Sequence, residues 1–380
     1  MLIEYLYRNT EIYLLYSRLF STSIATILSF GAAMITFPFY INYLRKLNFS
    51  SELEPEKNGK GEPVMPAGIL FLIIIIAVSL LTARFNSYVI STLIIYSFFS
   101  IIGAVDDIAK IVNKRRLAKG LITKQDYQYK SDGISASLRL TLYILISGGV
   151  AILAYKYIPN INGHITIPFL SVEKIFPYLP AWLFVPFMTL VVAVLANGVN
   201  FTDGVDTLAT VPLITCYIFV VIISYIASNS VWAEYLLIPH ITGVEEILPI
   251  GGAVFGVLLA FLWFNSPPST IIMGDSGSIG LGGMVAIMFV FIKAEFYLPI
   301  VGFIFMMEFV SDIIQIFWFK TTGKRFFLMA PIHHHFQLKM IKDPFYCNNK
   351  FFVNSKIRWR FHILSVILLI VGLILFLKVR

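Results

Sequence analysis

The run Leu208-Ala-Thr-Val-Pro-Leu-Ile-Thr-Cys-Tyr-Ile-Phe-Val-Val-Ile-Ile-Ser-Tyr-Ile-Ala227 has 20 residues and no charged side chain. About 20 mainly apolar residues are enough for a helix to cross the hydrocarbon core of a bilayer. Nine other runs are also mainly apolar: Ser21–Tyr43, Ala67–Thr82, Tyr88–Val105, Leu138–Tyr155, Trp182–Leu195, Ile247–Phe264, Gly277–Ile292, Leu298–Phe319 and Phe361–Leu377. The sequence therefore predicts an all-α, polytopic integral membrane bundle of about ten transmembrane helices, in a single domain over residues 1–380.

The composition is that of a membrane protein. Of the 380 residues, 58% are hydrophobic and 13% are charged, whereas about a quarter of the residues of a soluble domain are charged. The net charge of +8 would favour a nucleic-acid partner in a soluble protein. In a membrane protein Lys and Arg mark cytoplasmic loops, so we expect the lipid bilayer as a partner and no nucleic acid. The two cysteines, Cys216 and Cys347, fit neither a disulfide framework nor a zinc site.

The orientation follows from the basic residues. The loops after the first, third and ninth runs are rich in Lys and Arg, whereas the opposite loops hold only Arg84, Lys156, Lys174 and Lys293. Because Lys and Arg are enriched in cytoplasmic loops, this asymmetry predicts that both termini are periplasmic. On the outer side, residues 161–169 alternate β-branched and polar residues around Asn162-Gly163, which predicts a small hairpin.

The unusual polar residues gather on the face that this topology assigns to the cytoplasm. They are Asp106-Asp107 at the end of the third run, the stretch Ala196–Asp206, Asn265, Met273-Gly-Asp-Ser-Gly-Ser278, and Met329-Ala-Pro-Ile-His-His-His335. An active site on the cytoplasmic face explains why these segments share one side of the membrane.

The acidic residues of these segments favour a magnesium–phosphate site. Adjacent carboxylates such as Asp106 and Asp107 repel each other unless a cation or a donor shares them; the alternative is a solvated helix end. Asp203, Asp206 and Asp275 lie in short segments without Lys or Arg. Mg²⁺ takes oxygen ligands and keeps substrate phosphates in its shell, so these carboxylates suit it; the alternative is a set of Asx-turns between helices.

Two further polar groups are ambiguous. Successive residues point in different directions, so His333-His334-His335 suits contacts with phosphate better than ligation of one metal ion; the alternative is a solvated loop. In the ninth run, Glu308, Ser311, Asp312 and Gln315 share one helical face. Acidic groups in a membrane segment usually face a cavity or a partner, so structural pairing within the bundle rivals a role in the site.

Together these residues indicate phosphoryl transfer. Carboxylates and amides at the mouth of a helical bundle, surrounded by basic loops, suit a Mg²⁺–diphosphate substrate from the cytoplasm and a phospholipid-like acceptor from the bilayer. In such reactions, positioning and charge stabilisation supply most of the catalysis.

Four segments carry a resemblance to a known family. They are Asn200-Phe-Thr-Asp-Gly-Val-Asp206, Trp263-Phe-Asn265, Met273-Gly-Asp-Ser-Gly-Ser278 and Ala330-Pro-Ile-His-His-His-Phe336. Over nearly its whole length the sequence resembles the polyprenyl-phosphate N-acetylhexosamine-1-phosphate transferases. The form Ala-Pro-Ile-His-His-His points to their phospho-N-acetylmuramoyl-pentapeptide transferase (MraY) branch.

The resemblance implies a ten-helix bundle in the bacterial inner membrane, commonly a homodimer. It implies transfer of phospho-MurNAc-pentapeptide from UDP-MurNAc-pentapeptide to undecaprenyl phosphate, giving lipid I and UMP, with Mg²⁺ as cofactor. The lipid phosphate would attack the β-phosphorus of the donor, either directly or through an aspartyl intermediate.

The resemblance also assigns roles to residues. Asp106, Asp107 and Asp275 match catalytic positions; Asp275 matches the magnesium ligand, and Asp106 is the candidate for deprotonating the lipid phosphate. The matching substrate-binding positions are Lys60, Arg139, Asn197, Asn200, Asp203, Gly204, Asp206, Asn265, Gln315, His333, His334 and His335.

The chain departs from the family pattern in several places. The segment Lys-x-Gly-Thr-Pro-Thr-Met-Gly-Gly is Gly59-Lys-Gly-Glu-Pro-Val-Met-Pro-Ala67 here, so Lys57 or Lys60 would replace its leading lysine. Arg139 stands where the family has lysine, which keeps the charge and changes the donor geometry. The aromatic residue before Met-Gly-Asp is Ile272. The segment Asp343–Lys356 is longer than usual. These departures bear on substrate contacts, not on the reaction class.

Three other readings are open. A transporter would place broken helices and charges near the middle of the bilayer, and the polar face of the ninth run is compatible with a pore. A sugar-only transferase would use UDP-N-acetylglucosamine and need no groove for a peptide. A scaffold would give no reason to gather acids on one face.

Overall fold

The computed structural model describes residues 5, 7, 9, 13–49, 63–118, 120–121, 133–166, 178–346 and 349–377. Within these residues the secondary structure is helical, without a strand. Two isolated β-bridges occur there, a parallel one between Val64 and Ile271 and an antiparallel one between His164 and Tyr178. The all-α prediction is confirmed.

Apart from the helix Ile332–Ile341, the main helices follow the predicted runs. They are α1 (Arg18–Lys46), α2 (Gly68–Thr82), α3 (Ser87–Ala118), α4 (Ala136–Tyr157), α5 (Ala181–Thr202), α6 (Thr210–Ser228), α7 (Leu248–Asn265), α8 (Gly274–Phe291), α9 (Phe303–Thr322), α10 (Ile332–Ile341) and α11 (Lys350–Leu377). Two short helices, Ser230–Leu236 and Leu298–Val301, also belong to the described part of the chain.

Eight helices in the described residues are long and apolar enough to cross a membrane: α1, α3 to α8, and α11. The chain is thus a multi-pass membrane protein. The ninth predicted run is bent by 86° where residues 295–301 meet α9, and α2 has only 15 residues. The count of ten spans and the orientation of the termini stay predictions.

Helix α8 lies at the centre of the bundle. In the most apolar 18 residues of each helix, 94% of the residues are buried in α8, compared with 28% in α1 and in α4. Small residues let its neighbours approach closely: a Cβ on Gly280 would lie 1.9 Å from Ser100 Oγ of α3, and one on Gly282 would lie 2.9 Å from the Cα of Ala196 of α5. Membrane helices pack through such small residues, because lipid and protein interior are equally apolar.

Several predicted boundaries were wrong, because polar residues were taken as helix ends. Helix α3 continues past Asp106-Asp107 to Ala118, and α5 includes Asn197 and Asn200. Asp275 lies in the first turn of α8. Continuing a helix keeps its backbone groups hydrogen-bonded, which favours it over a loop near a membrane.

The histidine segment and the segment before the last span also differ from prediction. His333-His334-His335 belongs to helix α10 and not to a loop. The long segment Asp343–Lys356 contains a 3-10 turn at Pro344–Tyr346 and the first residues of α11. Helix α11 thus begins well before the apolar run that predicted it.

The described residues do not form the predicted outer hairpin. Pro159–Ile161 is a 3-10 turn, and His164 pairs across the chain with Tyr178. The Leu179 N–H donates to the carbonyl of Gly163 at 2.8 Å, so the partner of this segment lies further along the chain. Residues 167–169 lie outside the described part.

Candidate active site

The two aspartates of α3 face different neighbours, because adjacent residues on a helix point in different directions. Asp107 Oδ1 accepts from the Asp275 N–H, and its Oδ2 from the Ser276 N–H, both at 2.9 Å. Both donors belong to the first turn of α8. The N–H groups in the first turn of a helix have no carbonyl partners within that helix. Asp107 therefore caps α8 from another helix and positions Asp275.

Gly274 makes this cap possible. Its φ is +75°, a conformation that favours glycine. A Cβ at this position would lie 2.8 Å from Asp107 Oδ2. The glycine therefore allows the aspartate to reach the start of α8.

Asp106 is fully buried and accepts three donors. Its Oδ1 accepts from the Ile134 N–H at 2.7 Å. Its Oδ2 lies 2.8 Å from Lys110 Nζ and 2.8 Å from Arg139 Nη1. Two cations and one amide therefore hold this carboxylate ionised.

Asp275 completes the cluster through the same two cations. Its Oδ2 lies 2.9 Å from Lys110 Nζ and 3.0 Å from Arg139 Nη1. Unlike Asp106, its side chain keeps 13% of its surface exposed. We call Asp106, Asp107, Lys110, Arg139 and Asp275 the charge cluster.

Asp203 lies at the end of α5, beside the charge cluster. Burial, followed by the nearby carboxylates of Asp275 and Asp107, raises the pKa of Asp203 well above its usual range. Burial is the larger cause, so the raised pKa shows mainly that a charged carboxylate is costly at this position. A divalent cation or the cationic group of a ligand near these carboxylates would lower that cost.

The carboxylates of the charge cluster fit Mg²⁺ if Asp275 is the residue that holds the ion. Within the described residues no three His, Cys, Asp or Glu side chains are grouped as metal ligands. Mg²⁺ in phosphate-transfer sites uses only one or two carboxylates and takes other ligands from phosphates and water. Both Asp107 oxygens accept N–H donors, so the partly exposed Asp275 is the carboxylate best placed to hold the ion.

The end of α5 is fastened to α8, and the loop after α5 is fastened to α7. Asn200 Oδ1 accepts from Ser278 Oγ at 2.9 Å. Asn265 is buried; its Oδ1 accepts from the Thr207 N–H at 2.7 Å, and its Nδ2 donates to the Ile271 carbonyl at 2.8 Å. Asn265 therefore braces two loops of the site, and its position indicates a structural task beside any contact with substrate.

The polar face of α9 holds the residues that precede and begin α10. Glu308 Oε2 lies 3.1 Å from His333 Nδ1, Ser311 Oγ accepts from the Ile332 N–H at 3.0 Å, and Gln315 Oε1 accepts from the Phe327 N–H at 2.8 Å. These contacts are structural pairings within the bundle. The sequence left such pairing open as the alternative to a role in the site for this face of the helix.

The three histidines make three different contacts. His333 is buried, and a Cβ on Gly204 would lie 2.6 Å from its Nε2. His334 Nδ1 lies 2.6 Å from Gln337 Oε1. His335 Nδ1 accepts from the Leu328 N–H at 3.1 Å. Burial and the neighbouring His333 lower the pKa of His334, so it is neutral at pH 7. Only His333 reaches the loop that carries Asp203 and Asp206.

The predicted residues therefore fall into groups. The charge cluster unites Arg139 with the three aspartates that the sequence predicts to be catalytic. Asp203, Gly204 and Asp206 lie in the adjoining segment between α5 and α6, and Asn200 lies at the end of α5. Gln315 and His335 contact the segment between α9 and α10, whereas His334 contacts Gln337 within α10. The Asn197 amide donates to the Ala193 carbonyl at 2.8 Å. Lys60 lies outside the described residues.

Sequence reasoning missed Lys110, which it placed in a basic loop. Lys110 follows Asp106 by one helical turn, and residues four apart on a helix are neighbours. A longer third helix in the prediction would have shown the pair. The contact of Lys110 with Asp275 could not be found this way, because 165 positions separate the two residues.

Comparison with known proteins decides the family. Residues 89–293 match glycosyl transferase family 4. The chain is 36% identical over 364 residues, 94% of each chain, to the phospho-N-acetylmuramoyl-pentapeptide-transferase of a Nitratiruptor species. Proteins of the same name are 34% identical in Wolinella succinogenes, over 100% of both chains, and 35% identical in a Geobacter species, over 97% of this chain and 95% of that one.

The chain belongs to the phospho-N-acetylmuramoyl-pentapeptide transferases. Two of its departures from the transferase pattern lie side by side. The Val64 N–H donates to the Thr270 carbonyl at 3.1 Å, and the Ile272 N–H donates to the Val64 carbonyl at 2.9 Å. Both substitutions therefore affect one strand-like pairing, which leads directly to Asp275. Gly59 and Glu62 lie outside the described residues.

Arg139 is the departure from the transferase pattern that lies inside the charge cluster. A single nitrogen, Nη1, contacts both Asp106 and Asp275. A lysine ammonium can make the same two contacts, so the arginine keeps the essential geometry of this transferase site. The other N–H donors of the Arg139 guanidinium are the difference from a lysine at this position.

Proposed function

We propose that this chain transfers phospho-MurNAc-pentapeptide from UDP-MurNAc-pentapeptide to undecaprenyl phosphate, giving lipid I and UMP in peptidoglycan biosynthesis. The observation that carries this proposal is the charge cluster, in which Lys110 and Arg139 each contact both Asp106 and Asp275. Two cations between carboxylates suit the binding of phosphate groups and the stabilisation of charge as a phosphoryl group moves.

Asp275 would hold Mg²⁺, which neutralises diphosphate charge when it is bound. The capping contact from Asp107 orients the Asp275 backbone, so the carboxylate is placed before substrate arrives. Lys110 and Arg139 would hold donor and acceptor phosphates against the cluster. The carboxylates of Asp107 and Asp275 lie close enough to Asp203 to raise its pKa further, after burial, so added positive charge would be favourable there.

The acceptor lipid would lie in an apolar groove between α4, α5 and α9. The groove has a volume of about 880 Å³ and includes Leu140, Val185, Leu190 and Phe309. Leu140 follows Arg139 directly, so the groove leads to the charge cluster. A prenyl chain in the groove would therefore bring its phosphate to Arg139 and Asp106.

Asp106 would take the residual proton of the lipid phosphate. A phosphate monoester has a second pKa of about 6, so most of it is already doubly ionised at pH 7, and Asp106 would accept the last proton only from the remaining monoanion. The freed phosphate oxygen would then attack the β-phosphorus of the donor, and UMP would leave. Direct attack needs no covalent bond to the chain, and we propose it because Asp106 is enclosed by three donors.

We also propose that the chain lies in the bacterial inner membrane and crosses it ten times. Both termini would then be periplasmic, and the active site would lie on the cytoplasmic face. This proposal treats the bent pair and α2 as the two spans beyond the eight long helices. Arg115 and Arg116 on the extension of α3 support a cytoplasmic position. A single domain and a homodimer are part of the proposal and rest on the resemblance to the family.

The test is UMP release by the purified chain in detergent with undecaprenyl phosphate. UDP-MurNAc-pentapeptide and UDP-N-acetylglucosamine are offered in parallel, each with and without Mg²⁺. We expect Mg²⁺-dependent release from the pentapeptide donor alone. Release from the sugar donor alone would assign the chain to the sugar-only branch. Substrate uptake into proteoliposomes without chemical conversion would favour a transporter.

A further inference from the structure

A second groove lies on another side of the bundle, between the start of α6, the end of α7 and α11. Its volume is about 520 Å³. One end is polar and includes Arg358, His362, Thr207 and Ser266; the other end is apolar and includes Val366 and Ile367. From Arg358 to Ile367, nine helical rises of 1.5 Å make the groove about 14 Å long along α11.

Arg358 is the unusual residue of this groove. Only 8% of its surface is exposed, and its Nε has no hydrogen-bond partner within the described residues. A buried guanidinium without its hydrogen bonds is unfavourable, so such a group is expected to meet an acceptor. The nearest acidic influence is Asp206, but no ion pair joins the two side chains in the described part of the chain.

Most of the other polar groups at this end have partners. His362 Nε2 lies 3.0 Å from the Thr207 carbonyl, the Thr207 N–H donates to Asn265, and the Ser266 hydroxyl donates to the Trp263 carbonyl. The Thr207 hydroxyl is buried and, like Arg358 Nε, has no hydrogen-bond partner within the described residues. Arg358 is the charged group of these two, so it is the one that favours an anion as the occupant.

We propose that this groove binds an anionic phospholipid, with its phosphate on Arg358 and an acyl chain along Val366 and Ile367. Charge complementarity selects the occupant: a buried cation at one end and an apolar channel at the other match an anionic headgroup and its chain. Basic pockets between membrane helices on the cytoplasmic side are known to suit such headgroups. Arg358 lies near the start of α11, next to the basic segment that positive-inside asymmetry places in the cytoplasm.

This lipid site is separate from the acceptor groove. The acceptor groove is formed by α4, α5 and α9, whereas the second groove is formed by α6, α7 and α11. The proposal concerns a lipid that is bound and not consumed, and its test does not depend on the proposed transfer reaction.

The test measures phosphatidylglycerol and phosphatidylcholine retained by the purified full-length chain in native mass spectrometry. We expect the unmodified chain to retain phosphatidylglycerol preferentially. Arg358→Gln should reduce that retention on the order of tenfold, the effect of losing one charge-assisted hydrogen bond. Arg360→Gln is the matched control: it removes the same charge two residues away, at an exposed position, and should leave retention unchanged.

A second variant tests the apolar part of the groove without removing the charge of Arg358. Ile363→Trp keeps Arg358 and fills the apolar part, so it should also reduce retention of phosphatidylglycerol. Thermal unfolding shows whether each variant is folded, and Arg358→Lys, which keeps the charge, should keep most of the retention if Arg358→Gln does not fold. Equal retention of the two lipids, or an equal loss in Arg360→Gln, would overturn the proposal.

Discussion

Asp106 and Asp107 are neighbours in the chain and have different tasks. Asp107 accepts the first N–H groups of α8 and places Asp275. Asp106 meets Lys110 and Arg139, the cations that also meet Asp275. One helical position therefore separates a carboxylate that caps a helix from a carboxylate that is paired with two cations.

Asparagine substitutions should separate these two tasks. Asp106→Asn is expected to lower UMP release by about 10²–10⁴-fold, the usual effect of losing a general base. It should also lower the free energy of unfolding, because Asp106 is buried and paired with Lys110 and Arg139. Asp107→Asn should lower the free energy of unfolding by about 1–3 kcal/mol, because its NH₂ group cannot accept an N–H. Thermal unfolding and UMP release measure both effects.

Glu234→Gln is the control for this pair, since Glu234 is exposed on the short helix Ser230–Leu236. It should change neither quantity. Near-normal UMP release by Asp106→Asn, with loss of release by folded Asp107→Asn, would reverse the assignment of the two residues.

Asp203 should make stability depend on pH. Its folded-state pKa is raised, so the folded chain binds this proton more tightly than the unfolded chain. As pH falls from above the raised pKa toward the ordinary carboxyl pKa, this group should increase the free energy of unfolding. Asp203→Asn should remove that increase. Unfolding temperatures of both proteins across this range, without substrate, measure it; identical slopes would contradict the prediction.

At the scale of elements, α8 is a helix held almost wholly within protein. Its neighbours α3 and α5 approach through small residues. Such contacts are short-range, so a single added methyl group must displace a helix where there is no space. The start of α8 carries Asp275, which makes the packing of this helix important for the site.

Gly280→Ala tests this packing. Its Cβ would lie 1.9 Å from Ser100 Oγ, so we expect overpacking to lower the free energy of unfolding by about 1–3 kcal/mol and to reduce UMP release. Gly149→Ala is the control on α4, because nothing lies within 4 Å of its Cβ. It should leave stability unchanged or raise it, by up to about 1 kcal/mol from helix propensity. Equal effects would show that α8 has room to move.

At the scale of the whole molecule, the site elements meet at one end of the bundle. The charge cluster joins the later part of α3, the start of α4 and the start of α8. The end of α5 and the start of α10 lie beside it. The proposed orientation places this end in the cytoplasm, where a nucleotide-linked donor is available.

Chemical labelling tests that orientation. In a chain whose two native cysteines are replaced by serine, Lys324→Cys should react with a membrane-impermeant maleimide only after the membrane is opened. Glu234→Cys should react in intact spheroplasts, because it lies at the opposite end of the bundle. Both positions are exposed, so accessibility reports sidedness. The reverse pattern would invert the topology.

The sequence by itself determined the membrane class, the positions of the helices and the residue types of the site. Hydropathy and charge asymmetry are sums over neighbouring residues, so they can be read along the chain. The same information placed helix ends at polar residues, which is why α3 and α5 were drawn too short and α10 was taken for a loop.

Only the tertiary structure decided which residues meet. Asp107 caps a helix whose first turn lies 168 positions away, and Arg139 reaches Asp275 across 136 positions. No local pattern encodes such distances, because they depend on how the helices pack around α8. The division of Asp106 and Asp107 into two tasks, the bracing position of Asn265 and the partnerless Nε of Arg358 all follow from that packing.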